Sequence, residues 1–129
     1  MPRVPRHPAA WFSALFGWFG LLWFLSSLEG SPLNTPPFPH FDKVEHFTYF
    51  LMGGFLLTGG NFRRNPESHS WKRAIATTIV VMAAIGFIDE WHQLHTPGRS
   101  GGDPWDWLAD LVGGTSGALV FKSLHRRFQ

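Results

Sequence analysis

Cysteine is absent from the 129 residues, which excludes disulfide scaffolds, thiolate metal sites and cysteine nucleophiles. Charged residues are scarce, at 16% of the chain against about 25% in a typical soluble domain. The formal net charge of +2 is too small to indicate a nucleic-acid-binding protein, so no nucleic acid partner is expected. Aromatic residues are abundant instead, with 7 Trp and 13 Phe, which argues against a disordered chain.

The longest uncharged run covers residues 9–28. At about 1.5 Å rise per residue, a helix of this length spans roughly 30 Å, the thickness of a bilayer core. A secretory signal peptide is the rival interpretation, because Arg3 and Arg6 precede the run. No small-residue cleavage site follows it, so we expect a helix that stays in the membrane.

Three shorter uncharged runs follow, at residues 47–62, 74–88 and 111–121. Residues 74–88 have no charged face at a helical period, so such a helix must lie in a large core or in lipid. A chain of this length cannot build a water-soluble core around several such helices. The sequence therefore predicts one all-α membrane domain over residues 1–129. We expect a four-transmembrane-helix bundle with helices at about 9–28, 42–62, 72–94 and 104–123; a soluble helical bundle is the alternative.

The basic residues are distributed unequally between the two sides that four spans would define. One side holds the N-terminus, the middle loop and the C-terminus, with Arg3, Arg6, Arg63, Arg64, Lys72, Arg73, Lys122, Arg126 and Arg127. The other side holds only Lys43 and Arg99. Because cytoplasmic loops are enriched in Lys and Arg, both termini are predicted to be cytoplasmic, in a multi-pass protein of the cell membrane.

Acidic residues cluster at the opposite helix ends, where eight of the nine lie. These eight are Glu29, Asp42, Glu45, Asp89, Glu90, Asp103, Asp106 and Asp110. The positive-inside rule does not require this clustering. The candidate binding residues at these ends are Asp42, Lys43, His46, Tyr49, Asp89, Glu90, Gln93, Arg99, Asp106 and Asp110.

Helix capping explains some of these carboxylates. Asp42 fits an N-cap with the acidic Glu45 at position N3. Asp103 fits an N-cap followed by Pro104 at N1 and Asp106 at N3.

Capping does not explain four other ionisable residues, which are His46, Asp89, Glu90 and Asp110. Such groups are costly at membrane depth and usually face a polar interior. We therefore expect them to converge on one pocket, although ion pairing that only joins the helices is the alternative. A basic partner, a metal or raised carboxyl pKa values would have to complete the site.

Gly113 and Gly117 form a GxxxG pattern, which permits close approach of a second helix. Packing within the chain is favoured over dimerisation, and the pattern does not define an oligomeric state.

Four motifs, in order, resemble the VanZ-like family. Asp42-Lys43-x-x-His46-x-x-Tyr49 resembles its D-K-x-x-H-x-x-x-Y opening, with Tyr49 one place early. Residues 86–93, GFIDEWHQ, are similar to its G-x-x-D-E-x-x-Q element, and residues 97–100 match its P-G-R-S loop. Residues 106–113, DWLADLVG, match its D-x-x-x-[ND]-x-x-G element. The resemblance covers roughly residues 40–121 and implies a small polytopic bacterial membrane protein. The founding member of the family is linked to low-level teicoplanin resistance.

Three functions are compatible with these features. The favoured hypothesis is an envelope protein whose external pocket binds a lipid headgroup, a cell-wall precursor or a partner, with an effect on glycopeptide susceptibility. The second is a membrane-embedded enzyme acting on a lipid-linked substrate, with His46, Asp89 and Glu90 as acid–base groups or metal ligands. The third is a purely structural role. No cofactor is predicted from P-loop or Rossmann motifs, while a divalent metal (Mg²⁺, Mn²⁺, Ca²⁺ or Zn²⁺) is compatible with the oxygen-rich ligands.

Overall fold

The computed structural model describes residues 4–28, 38–99 and 101–128. These residues form four α-helices and no strand: α1 is Pro8–Ser27, α2 is Phe41–Arg64, α3 is Trp71–Leu94 and α4 is Pro104–Leu124. A short 3₁₀ helix, His125–Phe128, follows α4. Each α-helix begins and ends within two residues of its predicted bounds. Arg3, Glu29 and Ser100, which entered the sequence analysis, lie outside the described residues.

The helix starts agree with the capping prediction at α4 and disagree with it at α2. The Asp103 side chain accepts a hydrogen bond from the Trp105 amide, and Pro104 opens α4. The predicted N-cap role of Asp42 was wrong. α2 begins one residue earlier, with His40 as N-cap at φ 61° and no side-chain capping bond. The Asp42 carboxylate is instead paired with the Lys43 ammonium, 2.6 Å away.

Close packing of α2 against α4 depends on glycine. A Cβ atom on Gly54 would overlap the Gly114 backbone, and one on Gly113 would overlap the backbone of Phe47. Gly117 lies in the same way against Leu51. The GxxxG pattern therefore serves packing inside the chain, as predicted, because the two helix backbones approach where no side chain separates them.

An aromatic cluster shows how the helix directions alternate. Trp11 near the start of α1, Phe62 near the end of α2 and Phe121 near the end of α4 form one buried group. Trp71 at the start of α3 packs against it, with its ring centroid 5.8 Å from that of Phe62. The basic ends of the helices thus lie together, and the acidic ends lie at the opposite end of the bundle.

Two of the four helices, α1 and α3, are long and apolar enough to cross a membrane by length and composition. Their mean hydropathy is 1.5 and 1.6. In each helix, one-third or less of the most apolar 18-residue stretch is buried inside the protein, so most of that stretch faces outward. α2 and α4 carry charged residues within their first turns, and this polarity belongs to the site at the acidic end.

Candidate functional site

His46 lies at the centre of the acidic end, one and a half turns into α2. Its Nδ1 is 2.7 Å from Asp110 Oδ1, a hydrogen bond between α2 and α4. Its Nε2 faces two further carboxylates, with Asp106 Oδ2 at 3.7 Å and Glu90 Oε1 at 3.9 Å. The imidazole therefore connects carboxylates from α3 and α4.

Asp110 fits beside α3 because position 86 is glycine. A Cβ atom there would lie 2.9 Å from Asp110 Oδ2. Asp110 is fully buried, and its carboxylate lies between α3 and the His46 imidazole. Any larger residue at position 86 would displace the carboxylate that holds His46.

Glu90 on α3 is held by the loop that precedes α4. Its Oε2 accepts a hydrogen bond from the Asp103 amide at 3.2 Å. Its other oxygen, Oε1, is buried and has no hydrogen-bond partner among the described residues, and neither has Asp110 Oδ2. The site thus contains two carboxylate oxygens with unused acceptor capacity.

Lys43 neutralises the outer rim of the site. Its ammonium lies 2.6 Å from both Asp42 and Asp106 and 2.9 Å from Asp103. The hydrogen bond from Lys43 lowers the pKa of the Asp103 carboxyl, and the bond from the Trp105 amide acts in the same direction. Asp103 therefore remains ionised, and the single ammonium is shared among three carboxylates.

Asp89 joins this site to α1. Its carboxylate accepts hydrogen bonds from the Ser26 hydroxyl and from the Gln93 amide, the latter at 2.9 Å. All three side chains are buried. Sequence reasoning did not identify Ser26, because a serine near the end of an apolar run gives no signal of the helix it will face.

A cavity of about 610 Å³ opens at this end of the bundle. Its polar lining includes Asp42, His46, Asp89, Arg99 and Asp106. Its apolar lining is contributed by α1 and α2, with Leu22, Leu25, Phe41, Val44 and Met52. The cavity lining therefore combines charged and apolar side chains.

The structure brings the predicted residues together around this cavity. Tyr49 and Gln93 also line it, although the Tyr49 hydroxyl donates to the Trp18 carbonyl and the Gln93 amide to Asp89. Lys43 lies at the rim, while Glu90 and Asp110 lie behind His46. Donor atoms from His46, Asp89, Glu90 and Asp110 are close enough to hold a metal ion, as are those of Asp42, Asp103 and Asp106.

Comparison of the chain with protein-family models, curated proteins and solved structures finds no match. The resemblance to VanZ-like proteins therefore stays a prediction, together with the envelope location and the ligand classes that it implies.

Proposed function

We propose that this chain is a four-span protein of the bacterial cytoplasmic membrane that binds an amphiphilic envelope molecule. Both termini would lie in the cytoplasm and the cavity would open on the other side. The outward faces of α1 and α3 support a lipid environment. Phe16, Val80 and Phe87 are each about two-thirds or more exposed, which is unfavourable in water and favourable in hydrocarbon.

The observation that carries the ligand class is the mixed polar and apolar lining of the cavity. Leu22, Leu25 and Met52 offer a surface for an acyl or isoprenoid chain, while Asp42 and Asp106 offer acceptors for amines or hydroxyls. Arg99 adds a cation suited to a phosphate group. A phospholipid headgroup or a lipid-linked cell-wall precursor has all three parts.

The VanZ-like motifs support the same assignment, since they lie at the acidic end. We propose that the chain is related to that family and that the bound molecule belongs to cell-wall or envelope metabolism. Expression in a glycopeptide-susceptible bacterium should then shift teicoplanin susceptibility, and a variant that cannot bind the ligand should not.

Lipid co-purification tests the binding function. The full chain is purified in a mild detergent, and bound lipids are identified by native mass spectrometry. Leu25→Trp places a large side chain in the cavity, whereas Leu21→Trp makes the same change at a half-exposed position of α1. We expect Leu21→Trp to retain the lipid that Leu25→Trp loses. Equal retention, or no lipid in the wild-type protein, would contradict the proposal.

An enzyme that acts on the bound lipid is the second candidate, because the Asp110–His46 pair has the form of an oriented general base. Mass spectra of lipids incubated with the wild-type chain and with His46→Ala separate the two functions. A cleaved or transferred product that only the wild type forms would establish catalysis. An unchanged lipid in both would establish binding alone.

A purely structural role of the polar groups predicts a third outcome. If Glu90→Gln lowers thermal stability but leaves lipid retention and susceptibility unchanged, the polar groups only join the helices.

A further inference from the structure

Four side chains of the site lie close together where α2, α3 and α4 meet. One donor atom from each of His46, Asp89, Glu90 and Asp110 lies within 4.8 Å of the others. Ligands on opposite sides of one ion are separated by twice the bond length, which is about 4.2 Å for Mg²⁺ and about 4.8 Å for Ca²⁺. The four donors therefore fit around a single cation.

Two buried oxygens in this group lack the partners that buried carboxylates need. Glu90 Oε1 and Asp110 Oδ2 accept no hydrogen bond from any residue that the structure describes, although Glu90 is 5% exposed and Asp110 is 0% exposed. Buried polar atoms are normally satisfied, and an uncompensated buried charge is strongly unfavourable. A cation would satisfy both oxygens at once.

Both ring nitrogens of His46 face carboxylates of this site. Asp110 holds one ring nitrogen at 2.7 Å, and the other, Nε2, faces Glu90 Oε1 and Asp106 Oδ2 at 3.9 and 3.7 Å. These separations are too long for hydrogen bonds, and they match neighbouring ligands of one ion, which lie about 3–4 Å apart.

Two basic side chains, Lys43 and Arg99, lie near this group. The Lys43 ammonium is engaged by Asp42, Asp103 and Asp106 at the rim. Arg99 lines the cavity together with His46 and Asp89. A protonated His46 is the competing arrangement; its Nε2 would then lie 3.9 Å from Glu90 Oε1, an ion-pair distance that is too long for a hydrogen bond.

We propose that His46, Asp89, Glu90 and Asp110 bind a divalent cation of the Mn²⁺ or Mg²⁺ class between the helices. Three carboxylates favour these oxygen-preferring ions, and the imidazole favours Mn²⁺ among them. His46 and Asp89 also line the cavity, so the ion has a route from the outer side. The site depends on the helix ends alone and does not require the amphiphile.

Electron paramagnetic resonance with Mn²⁺ tests the site on the full chain in detergent. The protein is first treated with a chelator. Mn²⁺ is then titrated into it, and the free Mn²⁺ is measured at each step. We expect one ion per chain with a micromolar dissociation constant, and a spin-echo modulation from a histidine nitrogen that His46→Asn abolishes. Glu90→Gln and Asp110→Asn should each weaken binding at least tenfold.

Glu45→Gln is the matched control, because Glu45 precedes His46 in the chain but is exposed and outside the four-residue group. Its affinity for Mn²⁺ should equal that of the wild type. If Glu90→Gln or Asp110→Asn does not fold, Asp89→Asn replaces it, since an amide retains hydrogen-bonding capacity toward Ser26 and Gln93.

The proposal would be overturned if the folded wild type bound no Mn²⁺ at 1 mM. This concentration is on the order of the dissociation constants of the weakest protein sites for hard divalent cations. Equal loss of affinity in Glu45→Gln would also overturn it. Lipid co-purification is measured in the presence of chelator, so failure of the cation site and failure of amphiphile binding give different results.

Discussion

Trp18 and Tyr49 exchange hydrogen bonds between α1 and α2. The Trp18 indole donates to the Tyr49 carbonyl at 3.0 Å, and the Tyr49 hydroxyl donates to the Trp18 carbonyl at 2.6 Å. The two rings are stacked with centroids 5.2 Å apart. This reciprocal contact positions the apolar wall of the cavity against the helix that carries His46.

Tyr49→Phe removes one of these hydrogen bonds and keeps the ring. Interhelical hydrogen bonds in membranes contribute about 0.6 kcal/mol on average and up to about 1.7 kcal/mol, so we expect a loss of this size in unfolding free energy. Unfolding in mixed micelles measures it. Mn²⁺ affinity should stay at the wild-type value, because Tyr49 is outside the cation site; an unchanged stability would show that the hydroxyl makes no net contribution.

Gly117→Ala should destabilise the bundle, because the added Cβ atom would overlap the Leu51 carbonyl oxygen across the α2–α4 contact. Overpacking of this kind costs about 1–3 kcal/mol. Gly20→Ala is the control, since a Cβ atom at position 20 meets nothing within 4 Å. Replacement of a helical glycine at such a position is neutral or stabilises by up to about 1 kcal/mol.

Thermal unfolding of the two alanine variants, measured in the same detergent, checks this difference. A similar decrease in Tm for both would mean that α2 and α4 do not approach as closely as the glycines indicate.

Thr58 and Thr78 form a buried hydrogen bond between α2 and α3, with their hydroxyl oxygens 2.9 Å apart. Both side chains are fully buried, so removing one hydroxyl leaves the other without its partner. In a double-mutant cycle with Thr58→Val and Thr78→Val, we expect the double variant to lose about 0.5–1.5 kcal/mol less than the sum of the single variants. Strict additivity would contradict direct coupling.

The helices and their packing glycines could be predicted because each leaves a local pattern. An uncharged run with basic flanks predicts a helix and its direction, and the spacing of Gly113 and Gly117 places both on one face. The alternation of basic and acidic ends follows from chain order once four helices are assumed.

The partners within the site could not be predicted in the same way. Spacing places Asp89 and Glu90 at the end of α3, yet only the rotation of α3 against α1 and α4 directs Asp89 to Ser26 and Glu90 to the Asp103 amide. The wrong N-cap assignment at Asp42 has a related cause. A local capping pattern gave no weight to Lys43, whose ammonium lies 2.6 Å from the Asp42 carboxylate.

Labelling of single introduced cysteines tests the proposed orientation. The chain has no cysteine of its own, so no native residue reacts with the label. Ser68→Cys lies in the α2–α3 connection and His95→Cys follows α3, and both positions are exposed. If the basic end faces the cytoplasm, a membrane-impermeant maleimide should label His95→Cys in intact cells and Ser68→Cys only after permeabilisation. Both variants labelled in denaturant provide the reference for full reaction. The reverse pattern would invert the protein in the membrane, and labelling of both sites in intact cells would contradict a span between them.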